Sequence, residues 1–304
     1  NDDDTNLRQW EIIGTSESAV WITEGNFADT EKTFISFDPN TGAELARFSP
    51  GEARLFDPIV VGESIFAREN NAVVEVAADG TSTTRLAFES GGATALNLLF
   101  PNPADLAKFL IVEGGAIATD EAIERAFSFN DAPVSHLWAT DGESLWWTFS
   151  DTTTLTTGEF AVIAGIMRYN LTSEVIDAWP LGDMAVEFEE NNVVNTLSQP
   201  DLVVRDGKLW IVDGREDGQL HQLDPDTGTI ASFDVGREAD VDYTSIEAIS
   251  NDPESLWLKT TRYVITNAGD DGSRSSVGEI AFERIDPTTG AAVVSVAGPD
   301  LNGR

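Results

Sequence analysis

The stretch Asp201–Val235, DLVVRDGKLWIVDGREDGQLHQLDPDTGTIASFDV, holds four short runs separated by three stretches of tight-turn chemistry. Leu202–Val204 ends at Asp206-Gly207, and Leu209–Val212 follows. Gln219–Leu223 comes after a glycine-bounded turn, and Asp224-Pro225-Asp226-Thr227-Gly228 leads into Thr229–Val235. Short β-branched and aromatic runs punctuated by Asp-Gly and Asp-Pro mark strands joined by hairpins. The segment predicts a four-stranded antiparallel meander. It also recurs, and that recurrence narrows the possible folds more than any other feature of the chain.

Second strands align as Ala19-Val20-Trp21-Ile22, Ser64-Ile65-Phe66-Ala67, Ser144-Leu145-Trp146-Trp147, Leu209-Trp210-Ile211-Val212 and Ser255-Leu256-Trp257-Leu258, with a fainter copy at Phe109-Leu110-Ile111-Val112. The turn after the third strand repeats as Asp38-Pro39-Asn40-Thr41-Gly42, Asp224-Pro225-Asp226-Thr227-Gly228 and Asp286-Pro287-Thr288-Thr289-Gly290. Eroded versions stand at Ala78-Asp79-Gly80-Thr81 and Asn170-Leu171-Thr172-Ser173. Asp caps such a turn through its side chain, Pro presets φ, and Gly supplies a positive φ.

The repeats predict an all-β chain, a β-propeller of four-stranded antiparallel blades at 9–48, 57–88, 94–130, 134–181, 200–235 and 245–297, so six blades. Around the third unit, Asn102–Leu106 and Thr119–Ala122 also read as helix starts, which leaves five blades with a helical insertion as the second expectation. Residues 1–8 form an acidic N-terminal tether, and 9–304 form a single domain. Leu7–Trp10 is the expected place for the seam to close.

The Leu-Trp strand followed by Asp-Pro-x-Thr-Gly resembles the YncE/YVTN and streptogramin-lyase-like propellers, over most of the chain but only through these short motifs. The resemblance implies the propeller fold. Streptogramin lyases work with histidines, an acid and a divalent metal in the central site. This chain has two histidines in all and does not match that pattern, so the resemblance carries over no catalytic role.

Composition excludes several functions. With 53 acids against 18 bases the net charge is −35, a surface that repels nucleic acid and anionic lipid. The acids are spread along the chain, as on a salt-adapted, halophilic surface whose self-repulsion is screened at high salt. No apolar run is long enough for a membrane-spanning helix, so membrane insertion is not expected. The absence of cysteine excludes disulfides, thiolate metal sites and cysteine nucleophiles. The opening Asn1-Asp2-Asp3-Asp4 suits an exported, extracytoplasmic protein, secreted or lipid-anchored at the cell surface through a removed leader.

In a meander propeller, connections between strands two and three emerge on the same face as connections between blades. The long connections Glu24–Lys32, Asp151–Ile163, Thr261–Gly278 and Gly182–Leu197 all fall on that face, which makes it the expected binding surface for a protein or glycan partner. Phe27, Trp147, Phe160 and Tyr263 are aromatic candidates for stacking on a ligand, with core packing as the alternative for each. Asp57, His136, Asp201 and Glu247 begin the innermost strands at the channel mouth. Asp57, Asp201 and Glu247 would offer oxygens suited to calcium or magnesium, with His136 as the base of a metal-assisted lyase or hydrolase. The same four residues equally suit a cationic ligand or a water-filled acidic funnel. A structural cell-surface component is the third reading. His221 is expected as a strand histidine, and no Ser-His-Asp spacing stands out.

Overall fold

The computed structural model describes residues 9–25, 32–50, 55–69, 72–77, 80–87, 109–112, 138–154, 160–181, 186–189, 192–196, 201–213, 219–235, 241–251, 255–268, 274–286 and 288–298. The first blade is β1 (Gln9–Thr15), β2 (Val20–Gly25), β3 (Thr33–Phe37) and β4 (Glu44–Phe48). The second is β5 (Leu55–Val61), β6 (Ser64–Glu69), β7 (Ala72–Val76) and β8 (Ser82–Ala87). After β9 (Leu110–Val112), the third is β10 (Trp138–Thr140), β11 (Ser144–Thr154), β12 (Phe160–Asn170) and β13 (Ile176–Pro180). A separate hairpin, β14 (Val186–Glu189) and β15 (Asn192–Thr196), precedes the fourth blade, β16 (Asp201–Arg205), β17 (Lys208–Val212), β18 (Gln219–Asp224) and β19 (Thr229–Asp234). The fifth is β20 (Val241–Asn251), β21 (Leu256–Ala268), β22 (Arg274–Ile285) and β23 (Ala292–Ala297).

Over the described residues the chain is an all-β propeller of five four-stranded antiparallel blades. This corrects the expectation of six. The run read as the core of a blade at 94–130, Leu110–Val112, instead adds to the third blade by pairing Val112, Ile111 and Leu110 with Ala161, Val162 and Ile163 of β12. The physical reason is an open edge. β13 covers β12 only from Gly165 to Tyr169, so the ladder groups beyond it need a partner and an apolar run supplies one. Phe109 anchors the join, its ring 6.0 Å from that of Phe149. The suggested helices at Asn102–Leu106 and Thr119–Ala122 lie outside the described residues, as does the 1–8 tether. Gln9 and Trp10 pair with Gly25 and Glu24 of their own blade and not across a seam.

The repeated turn behaves as its residues dictate. Asp38 Oδ1 accepts the N–H groups of Asn40 and Thr41 at 2.7 and 3.2 Å, and the Gly42 N–H donates to the Asp38 carbonyl at 2.8 Å with φ of 69°. Those backbone donors hold the Asp38 carboxyl below its usual range. Asp224 with Gly228 and Asp286 with Gly290 repeat the geometry, at φ of 67° and 70°. The eroded copy keeps the shape: Asn170 Oδ1 accepts from Thr172 and Ser173 at 3.1 and 2.8 Å. There Glu174 occupies the glycine position, at φ of 57°.

Second-strand tryptophans fill the seams between blades. Trp21, Trp146 and Trp210 are buried in successive apolar clusters and lie against Phe48, Trp179 and Phe233 from the outer strands of their own blades. Each buried aromatic contributes a few kcal/mol, about 1.5–3 from area alone. Polar ties supplement them. Ser16 and Ser18 hydroxyls donate to Glu63 at 3.1 and 2.7 Å, and the Tyr169 hydroxyl donates to the Arg85 carbonyl at 3.0 Å. Innermost strands lie side by side in the order β1, β5, β10, β16, β20.

Candidate binding face

Alternating strand direction puts the ends of β2–β3, β6–β7, β11–β12, β17–β18 and β21–β22 on one face, together with every connection between blades. Two of these hairpins outgrow the rest. The β11–β12 ladder runs from Ser144↔Asn170 to Thr154↔Phe160, and β21–β22 from Leu256↔Ile285 to Ala268↔Arg274. By contrast β17–β18 pairs only from Leu209↔Leu223 to Val212↔Leu220. β11 and β17 both begin just after the short turn from their innermost strand, so the added residues lie toward the β11–β12 turn. At the usual rise per residue, the six extra residues of β11 over β17 add about 20 Å.

Three connections read from sequence as long loops are therefore largely paired strand: 151–163, 261–278 and, through β14–β15, 182–197. Their composition explains it. Thr152-Thr153-Thr154, Val162-Ile163 and Tyr263-Val264-Ile265 are β-branched or aromatic runs that favour a pleated ladder once one strand is in place. Of the fourth connection, 24–32, residues 26–31 lie outside the described residues.

The aromatic candidates separate. Trp147 is 0% exposed, opposite Trp138 and Met167, so its indole belongs to the core. Tyr263 is half-buried on the projecting part of β21, and a Cβ on Gly278 would lie 3.4 Å from its ring. Phe160 pairs with Thr154 at the tip of its ladder, although its side chain, like all of Phe27, is outside the described residues.

Asp57, Asp201 and Glu247, expected at the channel mouth, each stand four residues before the end of β5, β16 and β20. Asp57 has φ of 49° at a ladder irregularity, and its carboxylate lies 3.6 Å from Arg68 Nε. The Arg68 guanidinium in turn sits 4.8 Å over the Phe56 ring. Asp201 Oδ1 accepts the Leu202 N–H at 3.1 Å, and Oδ2 accepts the Ile249 N–H at 2.8 Å. Burial pushes the Asp201 carboxyl up, against the pull of those two N–H donors. Glu247 sits at a bulge opposite β21, with its side chain outside the described residues, as is the whole of His136. Among the described residues no group of three or more His, Asp or Glu side chains is placed to hold a metal ion.

Two buried polar constellations were not read from the sequence. Glu283 is 0% exposed and pairs with Arg262 of the neighbouring strand. His221, also buried, meets Ser232 Oγ through Nδ1 at 2.8 Å, while its Nε2 faces Asp213 Oδ2 at 3.8 Å. Ser232 is the direct cross-strand partner of His221, so strand register was the one signal that pointed to it.

No family model matches the chain, and no curated protein matches it. The expected likeness to YncE/YVTN and streptogramin-lyase-like propellers thus has no family match, and the observed sheets support the propeller fold alone. Among solved structures it is similar to an oligogalacturonate lyase in complex with manganese, at 12% identity and a TM-score of 0.47, covering 94% of this chain and 65% of that one. A member of the DUF4221 family from Bacteroides vulgatus is similar at 9% identity and TM-score 0.49, covering 96% and 85%. A luciferin-regenerating enzyme is similar at 11% and 0.43, covering 96% and 81%. The chain thus spans 65% of the length of the lyase.

Proposed function

We propose that this chain is an exported, non-catalytic propeller that binds a protein or glycan partner through the face on which its long hairpins rise. The observation that carries this reading is the lengthening of β11–β12 and β21–β22 on one side of a scaffold whose other blades have short hairpins. Paired strands present side chains at fixed spacing, so a partner meets a surface ordered beforehand and little entropy is lost on docking. The net charge of −35 selects for neutral or cationic partners over anionic ones. Asp57 and Asp201 already have partners in Arg68 and two backbone N–H groups, which favours a binding role over metal-assisted catalysis at the channel mouth.

The test is a pair of variants that close β11–β12 between Thr148 and Ile166, and β21–β22 between Thr260 and Ala281, with two-residue turns. Both are screened beside the parent chain on a glycan array and against extracellular protein fractions at physiological salt. Loss of a saturable parent interaction in either variant, with circular dichroism and unfolding midpoint retained, supports the reading. A partner that binds both shortened variants as well as the parent refutes it.

A further inference from the structure

We propose that β23, the outermost strand of the fifth blade, is a docking edge for a second copy of this chain, which adds its own β23 antiparallel to it. An outermost strand is an open ladder, and folded chains blunt such edges with charge or proline. The other four blades do so. β4 carries Glu44 and Arg47, β8 carries Arg85, β13 carries Asp177 and Pro180, and β19 carries Asp234. β23 reads AVVSVA, and no charged residue stands between Asp286 and Asp300. Among the described residues β23 is paired on one side only, with β22.

The edge is open as well as uncharged. Val293 is 53% and Val296 50% exposed, and Phe282, the direct cross-strand partner of Val296, is 40% exposed. Beside them the Gly298 N–H donates inward to the Ile280 carbonyl at 2.7 Å. Backbone groups alternate sides along a strand, so the N–H and C=O of Ala297 and Ser295 turn outward, away from β22. An added strand would meet both.

The strand is its own complement, which points to a second copy as the occupant. A two-fold axis through Ser295 sets Ser295 against Ser295, with Val294 against Val296 on either side, hydroxyl with hydroxyl and aliphatic with aliphatic. The outward groups of the two Ser295 residues then exchange a pair of hydrogen bonds, and the two fifth blades become one continuous sheet. Charge permits the approach. Along the part of β22 that pairs with β23, the one acid, Glu283, is 0% exposed, and the exposed charge is the cation Arg284. Repulsion from the rest of a chain of net charge −35 is screened beyond about 8 Å at physiological salt.

The experiment is sedimentation velocity of the full chain from low to high micromolar concentration, at physiological and at high salt. A monomer–dimer equilibrium that strengthens with salt is expected. Ser295→Pro removes an outward N–H and no ladder bond of its own blade, and Val296→Lys puts the missing charge on the edge. Each should weaken the dimer about tenfold or more, with circular dichroism and unfolding midpoint retained. Ala231→Lys, a lysine at an exposed position of β19, should leave the dimer unaltered. Amide exchange gives a reading that needs no substitution. The Ser295 and Ala297 N–H groups should exchange freely in the dilute chain and slowly in the concentrated one. A chain that stays monomeric, a dimer that survives both edge substitutions, or slow exchange at those two amides in the monomer overturns the proposal.

Discussion

Asp201, on the innermost strand of the fourth blade, reaches across the seam to accept the backbone N–H of Ile249 on the innermost strand of the fifth, at 2.8 Å. Val203, two residues along and on the same side of the strand, packs into the core of that seam. The carboxylate therefore satisfies a donor on β20, the edge strand of the neighbouring sheet among the described residues.

Removing that acceptor should cost what an orphaned buried donor costs. Asp201→Ala is expected to lower unfolding stability by about 1–3 kcal/mol. Asp201→Asn keeps a carbonyl oxygen for Ile249 and should cost less than half as much. Urea unfolding of the three proteins at one high salt concentration checks this, and equal losses in both variants would remove the seam tie from the account.

The same residue has a pH signature. Burial raises the Asp201 carboxyl above its ordinary 3.8 despite its two N–H donors, so the folded state holds the proton more tightly than the unfolded chain. Its contribution to stability is then fully present below about pH 3.8 and is lost as pH rises through the folded value. The stability of the parent chain relative to Asp201→Asn should fall between acid and neutral pH. A difference that stays flat or rises would contradict the raised value. High ionic strength throughout keeps the overall net charge from masking the effect.

Glu174 holds a left-handed φ of 57° where the sister turns carry glycine. Glu174→Gly should therefore stabilise the protein by about 0.5–1 kcal/mol, the relief of strain exceeding the added freedom of the unfolded chain. The reciprocal Gly42→Ala should destabilise by a similar amount. Thermal midpoints moving in opposite directions would confirm the pair.

Gly165 is required by packing. A Cβ built there would lie 2.6 Å from the Phe149 ring and 2.8 Å from that of Phe109. Gly165→Ala is expected to cost about 1–3 kcal/mol. It should also loosen β9, seen as faster amide exchange at Leu110–Val112. Unchanged protection there would mean that β9 is held by its ladder alone.

Much of this architecture was legible because it is written locally. Asp38, Asp224 and Asp286 each cap a turn within three residues of themselves, so the motif and the geometry are the same fact. Phe109–Val112 was a different case. Its composition matches a second strand, but a strand's place depends on which edge is open, and that edge lay on β12, some fifty residues further along. Connections 151–163 and 261–278 were misread as loops because polar threonines and serines suit an exposed ladder as well as a turn.

The candidate sites divide along the same line. The sequence alone determined the repeated hairpins, the acidic composition and the side on which long connections gather, since these follow from residue content and from strands alternating in direction. Only the tertiary structure decided the blade count, the burial of Trp147, the tie of Asp201 to Ile249 and the meeting of Asp213, His221 and Ser232. Those depend on register and on which sheet faces which. A shift of one residue along any strand would turn the same side chains to the opposite face.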